Sequence, residues 1–380
     1  MADGEVQIGT VAIPAPYVAP LIRTLGLVKS ALFPVLGFPD GGPTEETAAA
    51  RWWGTQAPAD QQRNRPVLAA CASPALVFDA RVLAGENRMV TLRGIADSLR
   101  DGDPVVLQGS GADPTVADFR IVPNRPILAA TLTEYLVPSL PVGELKFTLT
   151  LSRQDLFCLA GMADLFRRAR FLALLDHGTV PDDMGASDVA AYVGQASRAP
   201  DPRWILPLLL SAFSPDDIRL DDASARSSLD RLVRTGVLAA GSAAGRYRFS
   251  EAGSVLADSL SEPLSLLLLD TGGATTDGSI ARSICLFARS NPLLWFMDTG
   301  TPDGDTALVT ACSEQQARDL VTELIRPVAV PVPARARPAA APKAAPAPAP
   351  AAPAKKFCRN CGEPVKPGVK FCGKCGTAMK

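Results

Sequence analysis

The sequence predicts an α+β protein: two β-meander-plus-helix units around a central helical segment, with a small cysteine-rich module tethered behind. Three observations lead there. Residues 74–138 and 263–327 each pass through four short apolar stretches bounded by turn residues and then into a helical pattern. Between them the apolar period changes from that of a strand to that of a helix. Beyond Pro327 the composition turns to proline and alanine, and the chain closes on two Cys-x-x-Cys pairs. The expected segments are an N-terminal α+β unit (1–140), a helical connector (141–200), a third segment (201–260), a second meander unit (261–327), a Pro/Ala linker (328–354) and the terminal module (355–380).

At 380 residues the chain can hold two or three cores, and with 6% aromatic residues those cores must rest on Leu, Val, Ile and Ala. The net charge of −1 conceals an asymmetry. After Pro327 there are ten basic residues and one acid, Glu363, so the tail carries +9 and the rest −10. A basic tail behind an acidic body points to an anionic partner: nucleic acid, an acidic protein face or the body itself. Met1-Ala-Asp-Gly-Glu lacks the apolar core of a secretory signal, and no apolar run approaches the roughly 20 residues that cross a bilayer. Cys71, Cys158, Cys285 and Cys312 sit singly in apolar stretches and read as buried thiols, the usage of a reducing compartment. A cytoplasmic protein is expected.

In the first 70 residues, Tyr17–Leu32 and Thr47–Gln62 read as helices parted by the Pro39-Asp-Gly-Gly-Pro43 cluster. The first meander has candidate strands at 75–78, 89–92, 105–107 and 119–122 and a helix from Ile127 to Leu136. The second has strands at 264–269, 280–287, 293–297 and 307–310 and a helix from Glu314 to Ile325. The two align without a gap at an offset of 189, Leu132-Thr-Glu-Tyr-Leu-Val-Pro138 falling on Val321-Thr-Glu-Leu-Ile-Arg-Pro327. Each sheet has one apolar face that must find a cover, either the other sheet or the central helices. Leu145–Leu151 alternates as a strand, and Ser152-Arg-Gln-Asp155 has the form of a capping box opening a helix to about Leu175. Ser187–Ser197 is a further short helix.

Residues 201–260 carry a more specific order. Trp204–Phe213 is an apolar helix; Asp222 or Ser224 can cap a second, which buries Leu229, Leu232 and Val233 and stops at Gly236. A strand at Val237–Ala239, a glycine turn, a strand at Arg246–Phe249 and Ser250-Glu-Ala-Gly253 lead into a last helix. Leu-x-x-Leu-Val-x-x-Gly-Val-Leu followed by Tyr-x-Phe-Ser-Glu-Ala-Gly resembles the winged-helix domain of MarR-like regulators. That resemblance implies DNA contacts from Arg226, Arg231 and Arg234 on the helix and from Arg246 and Arg248 on the wing. Against it, this segment holds seven arginines and eight acids, whereas a phosphate-neutralising surface should be basic.

The C-terminus reads Phe357-Cys-Arg-Asn-Cys-Gly362 and Phe371-Cys-Gly-Lys-Cys-Gly376, joined by a loop holding Pro364 and Pro367-Gly368. Two residues between cysteines let both sulfurs reach one metal, and the following glycine permits the tight turn. Cys358, Cys361, Cys372 and Cys375 are therefore expected to hold one structural Zn²⁺. Four protein ligands leave no open coordination position, and so short a segment needs the metal in order to fold. The tail resembles the minimal zinc ribbons found at protein termini. Its tether, if extended as polyproline II, would span on the order of 80 Å.

Catalytic signals are few. Asp270-Thr-Gly272 and Asp298-Thr-Gly300 each follow an apolar strand, as in aspartic-type hydrolases, but lie 28 residues apart where a two-lobed protease puts them in separate lobes. His177 is the only histidine, and no glycine-rich run has the lysine of a phosphate loop. The leading expectation is a non-enzymatic cytoplasmic adaptor, chaperone or scaffold that docks a protein partner through the ribbon. The duplicated sheet-plus-helix plan is similar to that of type VII secretion-associated chaperones, which lack a ribbon. The alternatives are a DNA-binding transcriptional regulator and, third, the aspartic-type hydrolase.

Overall fold

A computed structural model describes residues 9–85, 88–97, 100, 102–109, 115–136, 141–199, 201–275, 279–300 and 305–326. It also gives the backbone of 356–357 and 364–365. The chain divides into a body, Met1–Val330, and a separate unit, Pro331–Lys380. The linker at 328–354 and the four cysteines of the tail lie outside the described residues.

The body opens with strand β1 (Gly9–Pro14) and helix α1 (Ala15–Thr24), then α2 (Pro43–Thr55) and α3 (Pro58–Ala72). The single helix expected over 47–62 is thus two. Gln56 and Ala57 are extended, because a proline at 58 disfavours helical backbone before it and has no N–H for the helical ladder. The first meander is β2 (Leu76–Ala84), β3 (Arg88–Ala96), β4 (Val105–Gly109) and β5 (Val116–Val122), closed by α4 (Arg125–Glu134). The second half begins again with β6 (Thr148–Ser152) and α5 (Arg153–Leu175). It continues through β7 (Met184–Gly185), α6 (Ala186–Arg198), α7 (Ile205–Leu210), α8 (Asp222–Arg234), β8 (Leu238–Ala240), β9 (Arg246–Phe249) and α9 (Glu251–Ser261). The second meander is β10 (Ser265–Ala274), β11 (Ile280–Arg289), β12 (Leu294–Asp298) and β13 (Thr306–Ala311), closed by α10 (Glu314–Leu324).

Local chemistry sets these starts. Asn124 caps α4 by accepting from the Ile127 amide at 2.9 Å, and Ser313 and Gln316 form a reciprocal capping box on α10. Only half of the box expected at 152–155 forms. Ser152 Oγ accepts from the Asp155 amide, while the Asp155 carboxylate is drawn away to Arg231. The cap of α8 is Asp221, one residue before the expected Asp222.

The two meanders join edge to edge, where the sequence left open a stacking of their faces. The eight meander strands with β1 and β6 form one antiparallel sheet in the order β1-β5-β4-β3-β2-β10-β11-β12-β13-β6. Its centre is the β2–β10 pair, in which Ala80 faces Leu269, residues separated by the same 189 positions that relate the two halves. A local two-fold axis therefore passes through that pair and relates β1–α1 to β6–α5 and each meander to the other. The offset holds for β2, β4 and α4. It slips by four residues in β3, since Leu76 pairs with Ala96 whereas Ser265 pairs with Arg289.

The sheet has one cover on each face. Leu76, Phe78, Ala80 and Val82 with Leu267, Leu269, Cys285 and Phe287 pack under α4 and α10. On the other face α1 and α3 cover the first half, meeting Val77, Ile95 and Phe119. Helices α5 to α9 cover the second half, around Leu266, Leu268, Leu286, Trp295 and Val309. Burying a side chain of this size contributes about 1.5–3 kcal/mol, so a layer that sequesters dozens of them holds both helical caps in place. The four isolated cysteines are buried, as expected.

Candidate functional site

Three features were candidates, and their geometry separates them. The Asp-Thr-Gly pair is dismantled first. Asp298 lies in register with Cys285, and Cys285 with Leu269, on the α4/α10 face of the sheet. Asp270 lies in register with Ile284, on the opposite face. Two carboxylates on opposite faces cannot share a proton, so the hydrolase reading is corrected. Asp270 instead holds Arg282 at 2.6–2.7 Å, and in register with it on the neighbouring strand Asp79 holds Arg93. Gly300 serves the β12–β13 turn: its φ is +73° and a Cβ would lie 2.1 Å from the Thr306 carbonyl oxygen.

The second feature is the helical cap. Its helix-hairpin-helix order over 201–260 appears as expected, but β9 also pairs with β7, and α8 packs on α5 and α6 from outside those bounds. Two of the five arginines assigned to DNA are half-buried and bound to acids of the body. Arg231 donates to the buried Asp155 through Nε (3.0 Å) and Nη2 (2.7 Å), and to Ser227 and Ser228. Arg246 donates to Asp183 at 2.5 Å. There the Ser242 hydroxyl and amide, with Arg246, hold the Asp183 carboxyl down at about 2. Arg226, Arg234 and Arg248 are exposed and have no ion-pair partner among the described residues. Arg226 lies against Gly245, and between Arg226 and Arg234 stands Asp230, which accepts from Tyr247 Oη at 2.7 Å.

The third feature went unread in the sequence. The last turns of helix α5 carry Phe171, Leu172, Leu174 and Leu175 at 44, 50, 72 and 76% exposure. Its base is fixed. Asp164 is buried and accepts from the Ile205 and Leu206 amides at the start of α7 (3.1 and 2.8 Å) and from Tyr192 Oη of α6. Burial raises its carboxyl to about 6, against those hydrogen bonds. Arg167 stacks on Phe171 and Trp204, and Arg170 pairs with Asp258 of α9. Cavities of about 410 and 490 Å³ open on either side of the loop before β7, with Pro181, Asp183 and Met184 lining both. A run of exposed leucines on a helix was legible as an amphipathic pattern that never closes, but it reads as core until the end of the bundle is known.

In the separate C-terminal unit, β14 (Lys356–Phe357) pairs antiparallel with β15 (Pro364–Val365). Cys358 and Cys361 belong to the residues connecting these strands; with Cys372 and Cys375 they lie outside the described residues. No cluster able to hold a metal occurs among the described residues of the chain, and no described helix is long and apolar enough to cross a membrane.

Residues 357–379 match the zinc-ribbon domain family. No curated protein is significantly similar in sequence. Among solved structures, the chain is similar to the Mycobacterium tuberculosis type VII secretion system chaperone EspG5, determined in complex with the PE25–PPE41 dimer. The identity is 10% and the TM-score 0.40, over 83% of this chain and 95% of that one.

Proposed function

We propose that the chain is a non-enzymatic adaptor or chaperone whose body receives a protein partner on the end of α5, with a zinc ribbon as a second, independently tethered contact. The observation that carries this is the exposed group Phe171, Leu172, Leu174 and Leu175. Large apolar side chains gathered at one projecting helix end cost solubility, and such patches mark protein interaction sites. The buried thiols suit a reducing, cytoplasmic setting. In the tail, four thiols in two Cys-x-x-Cys pairs make the closed donor set of a structural Zn²⁺. The paired strands β14 and β15 flank the first pair in sequence. Cys358, Cys361, Cys372 and Cys375 would hold the ion, and its role would be to fold the module.

The test is a charge placed on the helix end. Leu174→Asp with Leu175→Asp should leave the unfolding midpoint unchanged, because both side chains are already in water, and should abolish copurification of the partner identified by crosslinking to wild type. Retention of that partner by the double variant refutes the site. Its loss on deleting 355–380 alone would place the contact on the ribbon.

A second reading, a DNA-binding regulator with a winged-helix-like segment, is favoured by the exposed Arg226 and Arg234 of α8 and Arg248 of β9, which have no ion-pair partner among the described residues. It requires duplex binding with a steep salt dependence, weakened by alanine at each of those three positions. Absence of binding at low salt ends it.

A further inference from the structure

One edge of the ten-stranded sheet lies beyond β13. β6 is the last strand on that side among the described residues. The Ala311 amide donates to the Phe147 carbonyl and the Arg153 amide to the Asp305 carbonyl, so the odd-numbered residues turn their backbone groups inward to β13. By the alternation of an antiparallel ladder, Lys146, Thr148, Thr150 and Ser152 turn theirs outward. The two faces of this edge differ. Leu145, Phe147 and Leu149 pack against the core of the helical cap, whereas Lys146, Thr148 and Thr150 are exposed on the α10 face. A cavity of about 860 Å³ opens there, lined by Lys146, Thr148, Thr310, Ser313 and Gln316.

An added strand must therefore present apolar side chains to one face and uncharged polar ones to the other. Leu145-Lys-Phe-Thr-Leu-Thr-Leu151 has that alternation itself. We propose that this edge pairs antiparallel with the same edge of a second copy of the chain, about a two-fold axis at Thr148. That register sets Leu145 against Leu151 of the second copy, Phe147 against Leu149, and Lys146 against Thr150, keeping like charges apart. One strand pair buries well under the roughly 800 Å² per partner of a standard interface, so the dimer is weak and its population rises with concentration.

Sedimentation of the full chain from micromolar to near-millimolar concentration reads it out. Wild type should convert reversibly from monomer to dimer. Thr148→Pro removes an outward N–H, which an edge strand tolerates, and should leave only monomer. Thr148→Lys keeps every backbone group but sets two lysines face to face, and should weaken the dimer at least tenfold with an unchanged unfolding midpoint. A chain monomeric throughout leaves the edge to a foreign strand and overturns the proposal. So does a dimer that survives both substitutions, or growth past the dimer, which signals β6-to-β1 pairing.

Discussion

Replacing Arg231 with alanine distinguishes a side chain that reads a ligand from one that holds the fold. Its guanidinium makes contacts of 2.7–3.0 Å to Asp155, whose side chain is only 6% exposed, and further bonds to Ser227 and Ser228. Removing it strands a carboxylate at the junction of α5 and α8. Breaking one side of a buried pair costs about 3–5 kcal/mol. Arg231 itself is 36% exposed, so water reaching the site lowers the expected loss to about 3 kcal/mol. For a body of this size that corresponds to a fall in Tm of roughly 4 °C. Urea denaturation gives the free energy and thermal denaturation the midpoint. Adding Asp155→Ala should recover about half the loss, since the stranded charge goes with it. Alanine at the exposed Arg226, Arg234 or Arg248 should change stability by less than about 0.5 kcal/mol. If Arg231→Ala unfolds within 0.5 kcal/mol of wild type, the ion pair is not structural and the reasoning fails.

Asp164 should give the body an unusual pH dependence. Its carboxyl is raised from 3.8 to about 6 in the folded chain, so the native state binds more protons in between. Its contribution is present in full below pH 4 and is lost as pH rises through 6. Against Asp164→Asn, wild type should lose on the order of 3 kcal/mol over that window, and parallel stability curves would contradict this. Gly253→Ala puts a Cβ 1.9 Å from the Val237 carbonyl oxygen, forcing α9 off β8. A loss of about 2–3 kcal/mol is expected, with a neutral result refuting the packing. Purified full-length chain should carry one Zn²⁺ by metal analysis. Chelation should leave the unfolding midpoint of the body in place, and Cys372→Ser with Cys375→Ser should abolish the bound metal.

Several elements were legible because their cause is local. The Arg246–Phe249 strand and the stop at Gly236 follow from turn chemistry within a few residues. The offset of 189 was legible too, although the slip of four residues in β3 was not. Compensating changes in the β2–β3 and β3–β4 connections leave no mark on a gapless alignment. Strand β1 went unread because Gly9–Pro14 is one short run whose pairing with β5 lies a hundred residues away.

The sequence by itself determined the α+β class, both meanders with their closing helices, the buried thiols, and the paired cysteines of a zinc ribbon, since period, caps and ligand spacing are properties of neighbouring residues. Tertiary structure decided the rest. It merged the meanders through β2 and β10, because an antiparallel edge takes whichever strand offers matching backbone groups and a matching apolar face. It put Asp270 and Asp298 on opposite faces, where one step in register reverses every side chain. It committed Arg231 and Arg246 to acids distant in sequence, and it left Phe171, Leu172, Leu174 and Leu175 at the end of α5 exposed, since which helical side chains are covered depends on packing between elements far apart in the chain.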